Sequence, residues 1–129
     1  MNYRLEGSLN QKDNIKLIKK TIAKYLPEKW RIRYIKIGAG RFQEAGLPDL
    51  IILIKKDNQL QLQFWIEIKR NWLDKPTELQ KFNIKDFQDF GFITFFVAGN
   101  EICFEWPKED IKFPIINLDD YFRIFFGQF

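Results

Sequence analysis

The sequence predicts an α/β domain: an αβββαβ core with a mixed central sheet and an extra helix at the C-terminus. Three observations carry that expectation. A lysine-rich segment near the N-terminus repeats its apolar residues at helical spacing. The middle of the chain holds apolar and alternating runs of strand length, and a second helical segment separates them from two more strand-like runs. The 129 residues make a single domain, spanning 1–129. A chain of that length buries roughly two thirds of its surface on folding, and 46% apolar residues, with 14 Phe among them, supply the core.

The elements follow in order. Ser8 and Gln11 stand at capping-box spacing ahead of the first helix. Ile15, Ile18, Ile22, Tyr25 and Leu26 then recur every three or four residues, while Lys12, Lys16, Lys19, Lys20 and Lys24 fill the outer faces. Pro27 ends the helix. In "WRIRYIKI" (30–37) Arg31 and Arg33 alternate away from Trp30, Ile32 and Tyr34, which is strand behaviour. Three glycines and a proline make "GAGRFQEAGLP" (38–48) an exposed loop, with the spacing of neither a P-loop nor a dinucleotide fingerprint. "DLIILIK" (49–55) is continuously apolar and suits a strand buried on both faces. After a polar turn, "LQLQFWIEIK" (60–69) alternates: Leu60, Leu62, Phe64, Ile66 and Ile68 on one side, Gln61, Gln63, Trp65, Glu67 and Lys69 on the other. A second helix spans about Thr77 to Phe90, with Leu79, Phe82, Phe87 and Phe90 as its expected buried stripe and Gly91 as its stop. "FITFFV" and "EICFEW" read as strands around the turn "AGN". The tail holds a short aromatic helix capped by Asn117.

Composition excludes several chemistries. The chain has no histidine, which removes Ser-His-Asp and Cys-His hydrolases, HNH-type nucleases, His-ligated zinc enzymes and zinc deaminases. Cys103 stands alone, so there is no internal disulfide and no cysteine-rich zinc site, and it is expected to pack as a small core residue. Catalysis must run on carboxylates, lysines, tyrosines and a metal held by oxygen. No run approaches a membrane span or a signal-peptide core, so an intracellular protein in a reducing compartment, with no membrane partner, is expected. Net charge is +4, unevenly spread: residues 1–40 carry ten Lys/Arg against three acids, residues 41–90 eight against eight, and residues 91–129 three against six. A basic front end on a neutral-to-acidic body is the pattern of a polyanion docking surface. Lys12, Lys16, Lys19, Lys20, Arg31, Arg33, Lys36, Arg41 and Arg70 are its candidate nucleic-acid contacts.

The chemistry concentrates in the hairpin between Asp49 and Lys69. A turn near Asp57-Asn58 makes the position numbers of antiparallel partners sum to about 114–116, which sets Asp49 opposite residues 65–67. Asp49 and Glu67 then reach one cation, and Lys69 projects from the same face as Glu67. The two carboxylates with the backbone carbonyl of Ile68 are hard oxygen ligands suited to Mg²⁺, and a neighbouring lysine can orient water or neutralise charge on a phosphorane-like transition state.

"GLPDLI", then "WIEIKR", then "PTELQKF" and "GFITFFV" resemble the virus-type replication-repair nuclease (VRR-NUC) family of the PD-(D/E)xK superfamily, over roughly Trp30 to Val97. The resemblance implies a restriction-endonuclease-like fold, with Asp49 and Glu67 as metal ligands, Lys69 as the catalytic lysine and Gln80 as a catalytic-site glutamine on the helix after the third strand. Mg²⁺ is the implied cofactor, with Mn²⁺ as a substitute and no organic cofactor. Such nucleases usually carry an acid on the first helix. Asp13 is the candidate further metal contact here, with Glu6 and Gln11 at other registers. The implied function is a structure-selective DNA endonuclease resembling Holliday-junction resolvases and acting on branched DNA in repair and recombination. The alternatives are a sequence-reading restriction or mobile-element nuclease and an inactive nuclease-fold DNA-binding protein. The aromatic tail, with five Phe and one Tyr between Phe113 and Phe129, exceeds what a small core is expected to hold and points to a homodimer.

Overall fold

The computed structural model describes residues 9–37, 46–107 and 115–129. Its frame is a six-stranded mixed sheet whose strands lie side by side in chain order. β1 (Arg31–Lys36), β2 (Leu50–Lys56) and β3 (Gln59–Lys69) are antiparallel neighbours. β4 (Ile93–Ala98) runs parallel to β3, while β5 (Glu101–Cys103) and the two-residue β6 (Ile116–Asn117) return antiparallel. Parallel neighbours cannot be joined by a tight turn, and the helix α2 (Glu78–Asp89) supplies the crossover. α1 (Gln11–Tyr25) and α3 (Leu118–Phe126) complete the three helices among the described residues.

Strand alternation sorts the core into two clusters. Leu50, Ile52, Ile54, Phe64, Ile66, Ile68, Phe95, Val97 and Ile102 face α1 and α3, meeting Ile15, Ile18 and Ile22 from one and Leu118, Phe122 and Phe126 from the other. On the opposite face Phe96, Ala98 and Cys103 join Trp72, Trp106 and Ile84 of α2. Part of the tail is core: Phe122 and Phe126 are buried, Phe122 with its ring edge-on to Phe64 at 5.6 Å, while Ile124 and Phe129 are exposed. α3 closes over one side of the sheet.

Several local expectations shift. Helix α1 begins two residues later than its sequence cue: Asn10 is the N-cap, its Oδ1 accepting the Asp13 N–H at 2.8 Å. Ser8, the expected cap, lies outside the described residues. The Thr77 cap of α2 is the complete capping box instead, with Gln80 at N3. β2 is buried on one face only, because α2 lies over β4 and leaves Ile51 and Leu53 half-buried. In β3 the register slips between Ile54, which pairs with Leu62, and Lys55, which pairs with Leu60. Alternation breaks at that irregularity, and Leu60 leaves the core stripe, 53% exposed. β5 ends at Cys103 rather than continuing to Trp106, and β6 was not expected.

The largest departure is the rotation of α2. Leu79, Phe82 and Phe90 are exposed and Phe87 is half-buried, leaving Ile84 as the helix's buried residue. The inward face carries Gln80, Asn83, Ile84, Phe87 and Gln88 instead, one residue or about 100° around the helix from the apolar stripe. Hydrogen bonds set that angle. Asn83 Nδ2 donates to the Gly46 carbonyl at 2.9 Å, and Gln88 Nε2 donates to the carbonyls of Thr94 and Phe104 at 2.8 and 2.9 Å. Phe87 packs on Trp65 with centroids 4.6 Å apart.

Candidate active site

The site lies where β2 begins and β3 ends, on the sheet face that α2 covers. Gly46 admits the chain to this corner. Its φ of +81° suits glycine, and a Cβ there would lie 2.7 Å from Leu79 Cγ. Three residues on, Asp49 is bound from both sides: its carbonyl accepts the Ile37 N–H at 2.8 Å, and its N–H donates to Ile66 O at 3.0 Å. Leu50 pairs with Ile66, a sum of 116, so Asp49 falls opposite Glu67 as the hairpin arithmetic requires. Asp49 Oδ2 accepts the N–H of Ile68 at 2.8 Å. Backbone groups along a strand alternate between its two neighbours, so the carbonyl of Ile68 shares the Asp49 side of β3.

Glu67 is 2% exposed. Its Oε1 accepts from Gln80 Nε2 at 3.3 Å, and its buried Oε2 has no donor among the described residues, leaving a proton shared with the Asp49 carboxyl as its means of pairing. Burial, then the charge and hydrogen bond of the adjoining Asp49 carboxyl, push the Glu67 pKa far above the usual carboxylate range; Lys69 pulls the other way and Asp74 adds a further push. Two acids share a space that poorly tolerates two negative charges.

Lys69 is also buried, and its Nζ donates to Gln80 Oε1 at 3.2 Å. It forms no ion pair among the described residues. Gln80 is thus the hub: its amide nitrogen holds Glu67 and its oxygen holds Lys69, the same oxygen accepting the Thr77 N–H at 2.9 Å. Thr77 Oγ1 accepts the Gln80 N–H at 3.1 Å in return.

The structure therefore brings together Asp49, Glu67, Ile68, Lys69 and Gln80. Asp13 does not join them. It sits exposed in the first turn of α1, on the helix that packs the opposite face of the sheet, while Glu67 and Lys69 project toward α2. Gln11 lies in the same turn, and Glu6 is outside the described residues. No group of three His, Cys, Asp or Glu side chains with metal-site geometry occurs among the described residues. The donor set that does fit a hard cation is two carboxylates and a backbone carbonyl, which matches Mg²⁺ in its habit of keeping several waters. Glu67 Oε2 is the atom such a cation would satisfy.

The basic residues divide. Lys12, Lys16, Lys19 and Lys20 are exposed on α1, with Lys19 Nζ 5.0 Å from the Tyr34 ring centroid. Arg31 and Arg33 pair with Lys55 and Leu53, on the face that carries Glu67. Lys36 is exposed at the end of β1, and Arg70 is exposed immediately after Lys69. Arg41 lies outside the described residues. The basic front end is thus two surfaces on opposite faces of the sheet. Cys103 is a buried thiol donating to the Glu105 carbonyl, its pKa raised chiefly by burial, as expected of a core residue.

Sequence reasoning missed Thr77, Asp74 and Asn83. Thr77 had a signal, since T-x-x-Q is itself a capping-box spacing. Asp74, whose Oδ2 accepts the Arg70 N–H at 3.2 Å, and Asn83 had none. No protein-family model, curated protein or solved structure matches the chain.

Proposed function

We propose that this chain is a metal-dependent, structure-selective DNA endonuclease of the PD-(D/E)xK type, with a restriction-endonuclease-like arrangement of its αβββαβ core. One observation carries the reading: Asp49 and Glu67 meet in a buried corner with no donor to Glu67 Oε2 among the described residues, and Gln80 holds Lys69 beside them. A structural ion pair would satisfy both carboxylates. This pair is left short of positive charge, as a cation site is.

In this reading Asp49, Glu67 and the Ile68 carbonyl hold Mg²⁺ or Mn²⁺, which supplies polarisation of the phosphate and acidification of water. Lys69 neutralises charge as it builds on the transferring phosphoryl oxygens. Gln80 fixes the Lys69 ammonium relative to Glu67, and the Thr77 cap fixes Gln80. Arg31, Arg33 and Arg70 provide phosphate contacts on the face of the site. A homodimer belongs to this reading, with the exposed Ile124 and Phe129 of the tail, and Leu79 and Phe82 of α2, as apolar surface for it. Two-fold symmetry would then set two sites on opposing strands of a junction.

The test is a panel of labelled four-way junction, flap and plain duplex incubated with Mg²⁺ or Mn²⁺. Cleavage of branched substrates in preference to duplex is expected, with EDTA stopping it. Cutting at one sequence in plain duplex would replace structure selectivity with sequence reading. Binding without any cutting would leave a nuclease-fold DNA-binding protein.

A further inference from the structure

On the far flank of α2 from the carboxylates lies a second feature that the catalytic reading leaves unused. A cavity of about 580 Å³ opens between α2 and the segment after β5, within the size range of small-ligand sites. Its walls combine cations and rings: Lys75, Lys81 and Lys85 on one side, Phe96 and Trp106 on the other, while the Phe104 ring turns to the opposite face against Phe95 and Tyr121. Glu105 is the acid in the lining, and Lys81 is engaged by Glu78 at 3.2 Å, a solvated pair that holds little charge back. The cavity is positive and aromatic at once.

Its position relative to the proposed scissile site is fixed by the sheet. Phe96 in the cavity wall is the in-register partner of Glu67 on the neighbouring strand, and neighbouring strands lie about 4.8 Å apart. Along α2, Ile84 of the lining follows Gln80 by one turn, about 6 Å of rise. Catalytic corner and cavity are thus adjacent and separated only by the inward face of α2.

We propose that this cavity takes an unpaired nucleotide of a DNA single strand, its phosphate on Lys75, Lys81 and Lys85 and its base against Trp106. The inference rests on the nuclease reading for its substrate class and deepens it. The enzyme would recognise a branch by the unpaired nucleotide beside it, since a base held in a duplex stack cannot enter. Lysines tracking the backbone with aromatic platforms for the bases are the general means of holding single strands.

The experiment uses the full chain in EDTA, so that binding is read without cleavage. Fluorescence anisotropy follows a labelled oligothymidylate of about ten nucleotides, the same oligomer with abasic sites, and a duplex of equal length. The oligothymidylate should bind at least fivefold more tightly than its abasic counterpart, the scale of losing one base–aromatic stack. Lys81→Ala with Lys85→Ala should weaken it by a further several-fold without lowering the melting temperature. Equal affinity for the abasic oligomer or for duplex, or indifference to the lysine substitutions, would overturn the proposal. If the metal-dependent panel shows cleavage while oligothymidylate does not bind, the cavity assignment falls and the nuclease reading stands. Lysine-dependent binding of the oligomer by a protein that cuts nothing would uphold the cavity assignment and remove the nuclease reading.

Discussion

Glu67→Gln should raise the stability of the metal-free protein. Glu67 is 2% exposed, one of its oxygens has no donor among the described residues, and its neighbour is another carboxyl. A buried carboxyl whose folded-state pKa is raised must be held protonated at neutral pH, where the unfolded chain would ionise it, and this costs folding stability, on the order of 1–3 kcal/mol for a buried polar group so perturbed. Glutamine keeps the oxygen that accepts from Gln80, replaces the other oxygen with a donor facing Asp49, and leaves the volume unchanged. For a domain of this size each kcal/mol moves the melting temperature by about 4 °C, so the variant should melt about 4–12 °C above wild type in EDTA. The two proteins should respond unequally to metal. Saturating Mg²⁺ at about a hundred times its dissociation constant adds about 2.7 kcal/mol to a protein that binds it only when folded, and the variant should gain far less. Differential scanning calorimetry in EDTA and in Mg²⁺ measures both. A Glu67→Gln protein that melts below wild type in EDTA would refute the reasoning, because Glu67 would then be stabilising the fold.

Cleavage assays on branched DNA should show at least a hundredfold loss for Asp49→Ala, Glu67→Ala and Lys69→Ala, on the scale of removing a transition-state contact; wild-type rates in any of them would remove the site assignment. Because the α1 lysines and the Arg31–Arg33 pair lie on opposite sheet faces, a duplex at the site should meet about three phosphate-binding arginines. The log–log salt slope should then be about −3, and neutralising Lys12 and Lys16 should leave it unchanged in a titration of binding against salt. Phe122→Ala should destabilise the chain by about 3–5 kcal/mol in urea unfolding, since Phe122 is fully buried between α1, α3 and the sheet. A loss under about 1 kcal/mol would mean that the tail is peripheral. Burial pushes the phenols of Tyr34 and Tyr121 up to about 12. An acid raised in the folded state contributes stability that is complete below its unfolded value near 10 and is lost as pH climbs toward 12. Unfolding free energy should therefore fall across that window, and Tyr34→Phe should flatten the fall.

Much of this fold is legible from local pattern. Period-2 and period-3.6 apolar spacing locate the principal strands and all three helices, because burial of one face depends on residues close in sequence. The Asp49–Glu67 juxtaposition is legible for the same reason: a short hairpin makes register a matter of arithmetic, and Lys69 follows Glu67 on its face. Tertiary contacts decided the rest. α2 offers two faces of comparable claim, one apolar through Leu79, Phe82 and Phe90, the other amide-rich through Gln80, Asn83 and Gln88. Hydrophobicity favours the first. The second is turned inward because the carbonyls of Gly46, Thr94 and Phe104, together with the buried ends of Glu67 and Lys69, require hydrogen-bond partners, which those amides supply. The basic residues divide for a related reason. Charge counted along residues 1–40 is one block, but α1 and the outward side chains of β1 sit on opposite faces of a sheet. The cavity beside α2 has no sequence signature at all, since Lys81, Lys85, Phe96 and Trp106 come from separate elements and meet only when the crossover from β3 to β4 closes.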